Sequence, residues 1–135
     1  MFVMDASIAL AWCFEDEAGD GADAVLDRLG RERAMVPAHW PLEVANALRT
    51  AERRGRIAAA ELADLRALLA ALPVDVVPVE VPTALYQVLD AARLRDLTAY
   101  DAAYLDLAAT RGLPLATIDG ALRTACGAAG VACLP

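Results

Sequence analysis

Five short apolar runs alternate with stretches of helical period along this chain, and that alternation narrows its folds more than any other feature. Strands too short to stand alone must line up side by side and be covered by the helices between them, which describes an α/β domain with a mainly parallel sheet. Phe2-Val3-Met4 reads as a buried strand stopped by Asp5, with a helical pattern following through Trp12. Glu15-Asp16-Glu17 and Gly19 form a solvated break, and Ala22 to Leu29 resumes helical spacing up to Gly30. Ala34-Met35-Val36 is a second strand closed by Pro37. Pro41 suits the first turn of a helix running to about Arg54, with Gly55 as its stop. On that helix Trp40, Val44, Leu48 and Ala51 make a core stripe.

The second half repeats the scheme. Ala58 to Leu72 is an amphipathic helix ended by Pro73, and Val74-Asp75-Val76-Val77 a strand closed by Pro78. Thr83 to Arg95 is helical. Thr98 opens a helix through Thr110, stopped by Gly112. Leu113 to Ile118 is a fourth strand, Asp119 opens a short helix to about Ala125, and Val131-Ala132-Cys133 is a terminal strand. In open sheets of this kind ligands bind beyond the carboxyl ends of the strands, where the connectivity reverses.

Length and charge bound what such a sheet can serve. The 135 residues suffice for one domain over 1–135 and are too few for two. No stretch reaches the roughly 18 consecutive apolar residues of a membrane helix, and Asp5 interrupts the apolar N-terminus before a signal sequence can develop. Cys13, Cys126 and Cys133 are odd in number and lack metal-ligand spacing, so they read as reduced thiols of a cytoplasmic protein. The net charge is −7, and all 12 basic residues are arginine. Acidity on this scale argues against broad nucleic-acid binding, which needs a basic face. It leaves open a phosphodiester approached through a bound divalent cation, and it suits a basic protein partner.

Four acids fall where the sheet's carboxyl edge should be. Asp5 follows the first strand and Asp119 the fourth, while Glu43 and Asp101 sit in the first turns of the helices opened near Pro41 and Thr98. Singly, each is explained as a helix cap or as a partner of the helix dipole; Thr98 with Asp101 resembles a capping box. Jointly, carboxylates packed together repel unless a cation neutralises them. Oxygen ligands of this kind suit Mg²⁺ or Mn²⁺ rather than zinc. The lone His39 reads as a residue opening a helix.

The segments around these acids resemble the PIN-domain family. Val3-Met4-Asp5-Ala6-Ser7 is similar to its strand into Asp-x-Ser, and Leu42-Glu43-Val44-Ala45-Asn46-Ala47-Leu48 to its Glu-x-x-Asn-x-Leu helix. Leu97-Thr98-Ala99-Tyr100-Asp101-Ala102-Ala103-Tyr104 looks like its Thr-x-Tyr-Asp-Ala-x-Tyr segment, and Leu115-Ala116-Thr117-Ile118-Asp119-Gly120-Ala121-Leu122 like its Thr-x-Asp-x-x-Leu segment. Four blocks in order, spanning nearly the whole chain, look most like a VapC-type toxin of a bacterial toxin–antitoxin pair. Gly120 and Ala121 depart from the basic or polar pair of many relatives.

The resemblance implies a three-layer α/β/α domain with a five-stranded parallel sheet. It also implies a Mg²⁺-dependent endoribonuclease, often a homodimer, inhibited by a small antitoxin. Carried over by position, Asp5, Glu43, Asp101 and Asp119 become the metal-holding quartet, supported by Ser7, Asn46, Thr98 and Thr117. A metal-activated water would then attack the RNA phosphodiester. Asn46 lies one turn beyond Glu43, and Arg49 and Arg53 continue along that surface, as phosphate contacts or as solvated arginines. Tyr100 and Tyr104 fit packing better than base stacking. The helices around Ala9 to Trp12 and Ala22 to Leu29 carry apolar surface suited to dimerisation or antitoxin docking.

Two rivals remain. A phosphoryl-transfer protein would also place aspartates at the sheet edge, but it uses a lysine, and this chain has none. A non-catalytic binding domain on the same scaffold has no reason to keep four mutually repelling acids.

Overall fold

A computed structural model describes residues 1–14 and 16–135, so Glu15 of the expected solvated break lies outside the described residues. Five strands form one sheet, β1 (Phe2–Met4), β2 (Ala34–Pro37), β3 (Val74–Val77), β4 (Leu115–Ala116) and β5 (Cys133–Leu134). Their order is β3-β2-β1-β4-β5, and all four pairings are parallel. The helices are α1 (Ala6–Ala11), α2 (Asp20–Leu29), α3 (Trp40–Arg53), α4 (Ala59–Ala70), α5 (Leu89–Arg95), α6 (Ala99–Arg111) and α7 (Gly120–Ala129). They flank the sheet in a three-layer α/β/α arrangement. Central β1 is apolar at every position because helices cover both faces of a parallel sheet; Phe2, Val3 and Met4 are fully buried.

The strand order places the site. From β1 the chain moves outward through β2 and β3, then returns to lay β4 on the other side of β1. The connectivity therefore reverses between β1 and β4, whose carboxyl ends release Asp5 and Thr117 side by side. The Asp5 backbone N–H donates to the Ala116 carbonyl at 3.0 Å, holding the two ends together.

Most expected elements are present, with adjustments, and α7 runs to Ala129 rather than about Ala125. β4 stops at Ala116 rather than Ile118 and begins beyond Pro114, whose missing N–H bars it from a central strand's ladder. The terminal strand begins two residues later than expected and ends one later, at Cys133–Leu134. Pro37 ends β2 from inside, paired with Val77. The helix expected from Thr83 to Arg95 opens as a π-helical segment, Thr83–Val88, before becoming α5. It ends at Asp96 with φ 54°, a left-handed position that aspartate tolerates better than most residues. Gly55 and Gly112 stop their helices with positive φ, as expected.

The core stripe of α3 is as read: Trp40, Val44, Leu48 and Ala51 are all buried. Much of the apolar surface of α1 and α2 is taken up by the core, Ile8, Ala9, Val25 and Leu29 among it, while Leu26 stays exposed. Further exposed apolar side chains, Leu85, Tyr86, Leu89 and Leu94, stand on the π-helical segment and α5. All three cysteines are free thiols, and burial pushes Cys126 up to about 11. Among the described residues, no helix is long and apolar enough to cross a membrane.

Candidate active site

Asp5 stands at the N-cap position of α1, yet its side chain caps nothing. It is 3% exposed and, with Thr117, one of two buried polar side chains among the described residues. Its Oδ2 accepts from two hydroxyls, Ser7 Oγ at 2.6 Å and Thr117 Oγ1 at 2.7 Å. Each hydroxyl in turn accepts a backbone N–H, Ser7 from Ile118 at 3.2 Å and Thr117 from Asp119 at 3.0 Å. A hydroxyl has a single proton, so both protons are committed to Asp5. The 3.4 Å approach of the two hydroxyls to each other is therefore a contact and not a further hydrogen bond. This wiring fixes one carboxylate oxygen and leaves the other without a hydrogen-bond donor among the described residues.

The other three acids come from helix N-termini at the same edge. Asp119 caps α7, its Oδ1 accepting from Leu122 N–H at 2.8 Å. The short β4 has a purpose here: Thr117 and Ile118 turn out of the sheet, which lets Thr117 serve Asp5 and Asp119 at once. Asp101 lies in the first turn of α6, where Thr98 Oγ1 accepts its backbone N–H at 3.1 Å. Glu43 lies in the first turn of α3, and its Oε2 accepts from Tyr104 hydroxyl at 2.6 Å.

The electrostatics tie the four together. Burial raises the Asp101 pKa, and the charges of Asp5 and Asp119 raise it further against a hydrogen bond from Thr98. Burial likewise raises Glu43, the Tyr104 hydrogen bond opposes it, and Asp5 and Asp101 add to the rise. Among the described residues no arginine pairs with any of the four. The nearest cation candidate is His39, with Nε2 3.7 Å from Glu43 Oε2. Burial depresses its pKa, against a hydrogen bond with the Tyr100 backbone and the charge of Asp5. It is therefore neutral at pH 7 and compensates nothing.

Such a set of oxygens with unbalanced negative charge suits a hard divalent cation. It is not a finished clasp: among the described residues no three His, Cys, Asp or Glu side chains form a ready metal-binding group. The acids share a field rather than a chelate.

The expected supporting residues divide. Ser7, Thr98 and Thr117 are in place. Asn46 is exposed beside Glu43 and makes no side-chain hydrogen bond among the described residues. Arg49 is turned along its own helix to Glu52 at 2.9 Å, and Arg53 is exposed.

Three neighbours went unread or were assigned only to packing. Tyr104 is fully buried, with its hydroxyl on Glu43; burial and that hydrogen bond push its pKa far above the ordinary phenol value. His39 packs edge-on to Tyr104 at 5.0 Å. Arg123 Nη1 donates to the Thr117 carbonyl at 3.0 Å and the Leu134 carbonyl at 3.3 Å. Each lies one helical turn from a quartet acid, His39 before Glu43, Tyr104 after Asp101 and Arg123 after Asp119. That i±3 or i±4 spacing was the available signal.

A family model described as PIN domain matches residues 2–127. The chain is 30% identical to the crystal structure of PAE2754 from Pyrobaculum aerophilum, with a TM-score of 0.70 over 92% of this chain and 78% of that one. No curated protein matches.

Proposed function

Because the chain belongs to the PIN-domain family, one of metal-dependent nucleases in general, we propose that it is a Mg²⁺-dependent endoribonuclease. In this reading Mn²⁺ can substitute, and the protein is the VapC-type toxin of a type II toxin–antitoxin pair. It acts in the cytoplasm on RNA, as a homodimer silenced by a cognate antitoxin. The observation that carries the nuclease reading is Asp5: a buried carboxylate with one oxygen held by two hydroxyls, in the field of neighbouring acids and without a cationic partner among the described residues.

Asp5, Glu43, Asp101 and Asp119 would hold the ion. When bound, the ion supplies a water of lowered pKa and neutralises the phosphate oxygens. The chain's own residues do the positioning. Ser7 and Thr117 hold Asp5 in one rotamer, so its free oxygen needs no reorganisation to accept a ligand. Tyr104 occupies one oxygen of Glu43 and leaves the other to accept. Asp119 has one oxygen committed to the α7 N-terminus and the second free. Thr98 and the first turn of α6 aim Asp101 at the same edge.

The toxin reading rests on the four sequence blocks around the acids, and the net charge of −7 suits a basic inhibitor. A non-catalytic binding domain is the second reading, favoured by the lack of a preformed three-donor group among the described residues. Calorimetric titration with Mn²⁺ and cleavage of single-stranded RNA in Mg²⁺ against EDTA decide between them. Metal-dependent cleavage supports the nuclease; no binding at millimolar metal supports the inert domain. Growth arrest on induced expression, relieved by a short neighbouring reading frame, tests the toxin assignment.

A further inference from the structure

Beside the acids the surface dips into a pocket of about 450 Å³ lined by His39, Leu42, Glu43, Asn46 and Tyr100. Glu43 belongs to both the pocket and the quartet, and Tyr100 immediately precedes Asp101 in the chain. Two of its large side chains lie open to solvent: Leu42 is 73% exposed and Tyr100 65%. Both stand in the first turn of a helix, at the sheet's carboxyl edge, where neither contributes to the core. The His39 ring lies 5.5 Å from the Tyr100 ring at 53° and packs on Tyr104 beyond it, so Tyr100 is propped from within while its ring stays accessible. A ring held this way loses little freedom when a flat partner stacks on it.

We propose that this pocket binds one unpaired nucleobase of the strand whose phosphate lies at the acids. Tyr100 and Leu42 cover the base's face, and the free amide of Asn46 reaches its hydrogen-bonding edge. The proposal rests on the nuclease reading of the adjoining quartet. Charge supplies a second argument. The chain carries −7, and Arg49, on the helix that bears Leu42 and Asn46, is turned to Glu52. On so acidic a chain, stacking on an exposed ring adds a hold on the strand that does not depend on net charge. A base extruded beside the quartet also requires the strand to be single at that point.

Binding of two fluorescein-labelled probes, measured in Ca²⁺ so that no strand is cut, tests this. One is a mixed-sequence single-stranded oligoribonucleotide, the other an abasic strand of the same length. Wild type should prefer the intact strand, and Tyr100→Ala should weaken that binding about 5- to 150-fold, the range one stacked base supplies. Tyr100→Phe should bind like wild type, and the abasic strand should be indifferent to either substitution. In Mg²⁺ the loss should appear in KM with kcat little changed. Equal binding of the intact strand by wild type and Tyr100→Ala overturns the pocket, as does equal binding of both probes by wild type or binding of neither. Cleavage without Tyr100 dependence would leave the nuclease standing and the pocket lost. Tyr100-dependent binding without any cleavage would do the reverse.

Discussion

At the amino-terminal end of the sheet, Glu32 is bracketed by the Met1 ammonium and Arg28, and Asp75 of β3 is paired with Arg33 at 2.6 Å. At the carboxyl end, Asp5, Glu43, Asp101 and Asp119 gather with no arginine paired to any of them among the described residues; Arg123 nearby is spent on the carbonyls of Thr117 and Leu134. The same side-chain chemistry shifts in opposite directions. The hydrogen bond from the amino terminus, with help from Arg28, holds Glu32 below the usual carboxylate range, and Arg33 does the same for Asp75. Burial and mutual repulsion hold Glu43 and Asp101 above it. A chain rich in arginine neutralises its acids on one edge and leaves them unbalanced on the other. The first edge is spent on closing the fold; the second is kept for a cation from outside.

Asp5→Asn should break the contrast most completely. The substitution keeps the shape and removes the charge on which the site turns, so RNA cleavage in Mg²⁺ should fall to background while the melting curve stays cooperative. Cleavage retained by the purified variant would remove Asp5 from the site.

Thr117→Val comes next. It deletes the hydroxyl that serves Asp5 and Asp119 together, and Mn²⁺ affinity by calorimetry should drop about 10- to 100-fold, the usual cost of losing a group that orients a ligand. Unchanged affinity would mean that Asp5 needs only Ser7.

A smaller effect sets the two edges directly against each other. In metal-free buffer at pH 7, Asp101→Asn should raise the melting temperature and Asp75→Asn should lower it. For half-exposed Asp101 the gain is on the order of 0.5 kcal/mol after solvent screening. The pH dependence has opposite sign at the two ends. Asp101 is protonated in both states well below its ordinary 3.8, so the benefit of Asn appears as pH rises through that value and levels off above the raised folded one. The contribution of Asp75 is present above 3.8 and fades as pH falls through its lowered folded value. Adding Mg²⁺ should reverse the order for Asp101 alone. Like signs for both variants would end the comparison.

Arg49→Ala should do least, since Arg49 faces Glu52 in a surface pair worth about 0–1 kcal/mol. A severalfold loss of cleavage would restore Arg49 to the substrate surface.

Much of this was legible along the chain. The period of Trp40, Val44, Leu48 and Ala51 announced a buried helix face, and Asp5 after Phe2-Val3-Met4 announced a strand end, because both patterns are local and repeat at the spacing of the structure itself. The length of β4 was not legible. Leu113 to Ile118 is apolar throughout except for Pro114 and Thr117, and apolarity does not say where pairing stops. Pairing with β1 and β5 decides that, and it releases Thr117 to the site. Tyr104 is buried, as its spacing suggested, but its hydrogen bond was not legible for a related reason: a tyrosine in a core stripe and a tyrosine donating to a half-buried carboxylate look the same until Glu43, 61 positions away, is known to face it.

Local pattern, then, was enough to settle the alternation of strands and helices, the caps at Thr98 and Asp119, and the four acids at helix starts and strand ends. Each of these follows from neighbours within a few residues. Which carboxylate is buried, which acid the Tyr104 hydroxyl holds and which acids go unneutralised came only from tertiary structure. Those facts depend on β1 and β4 lying side by side and on α3 meeting α6, contacts between residues more than fifty positions apart that leave no mark on local spacing.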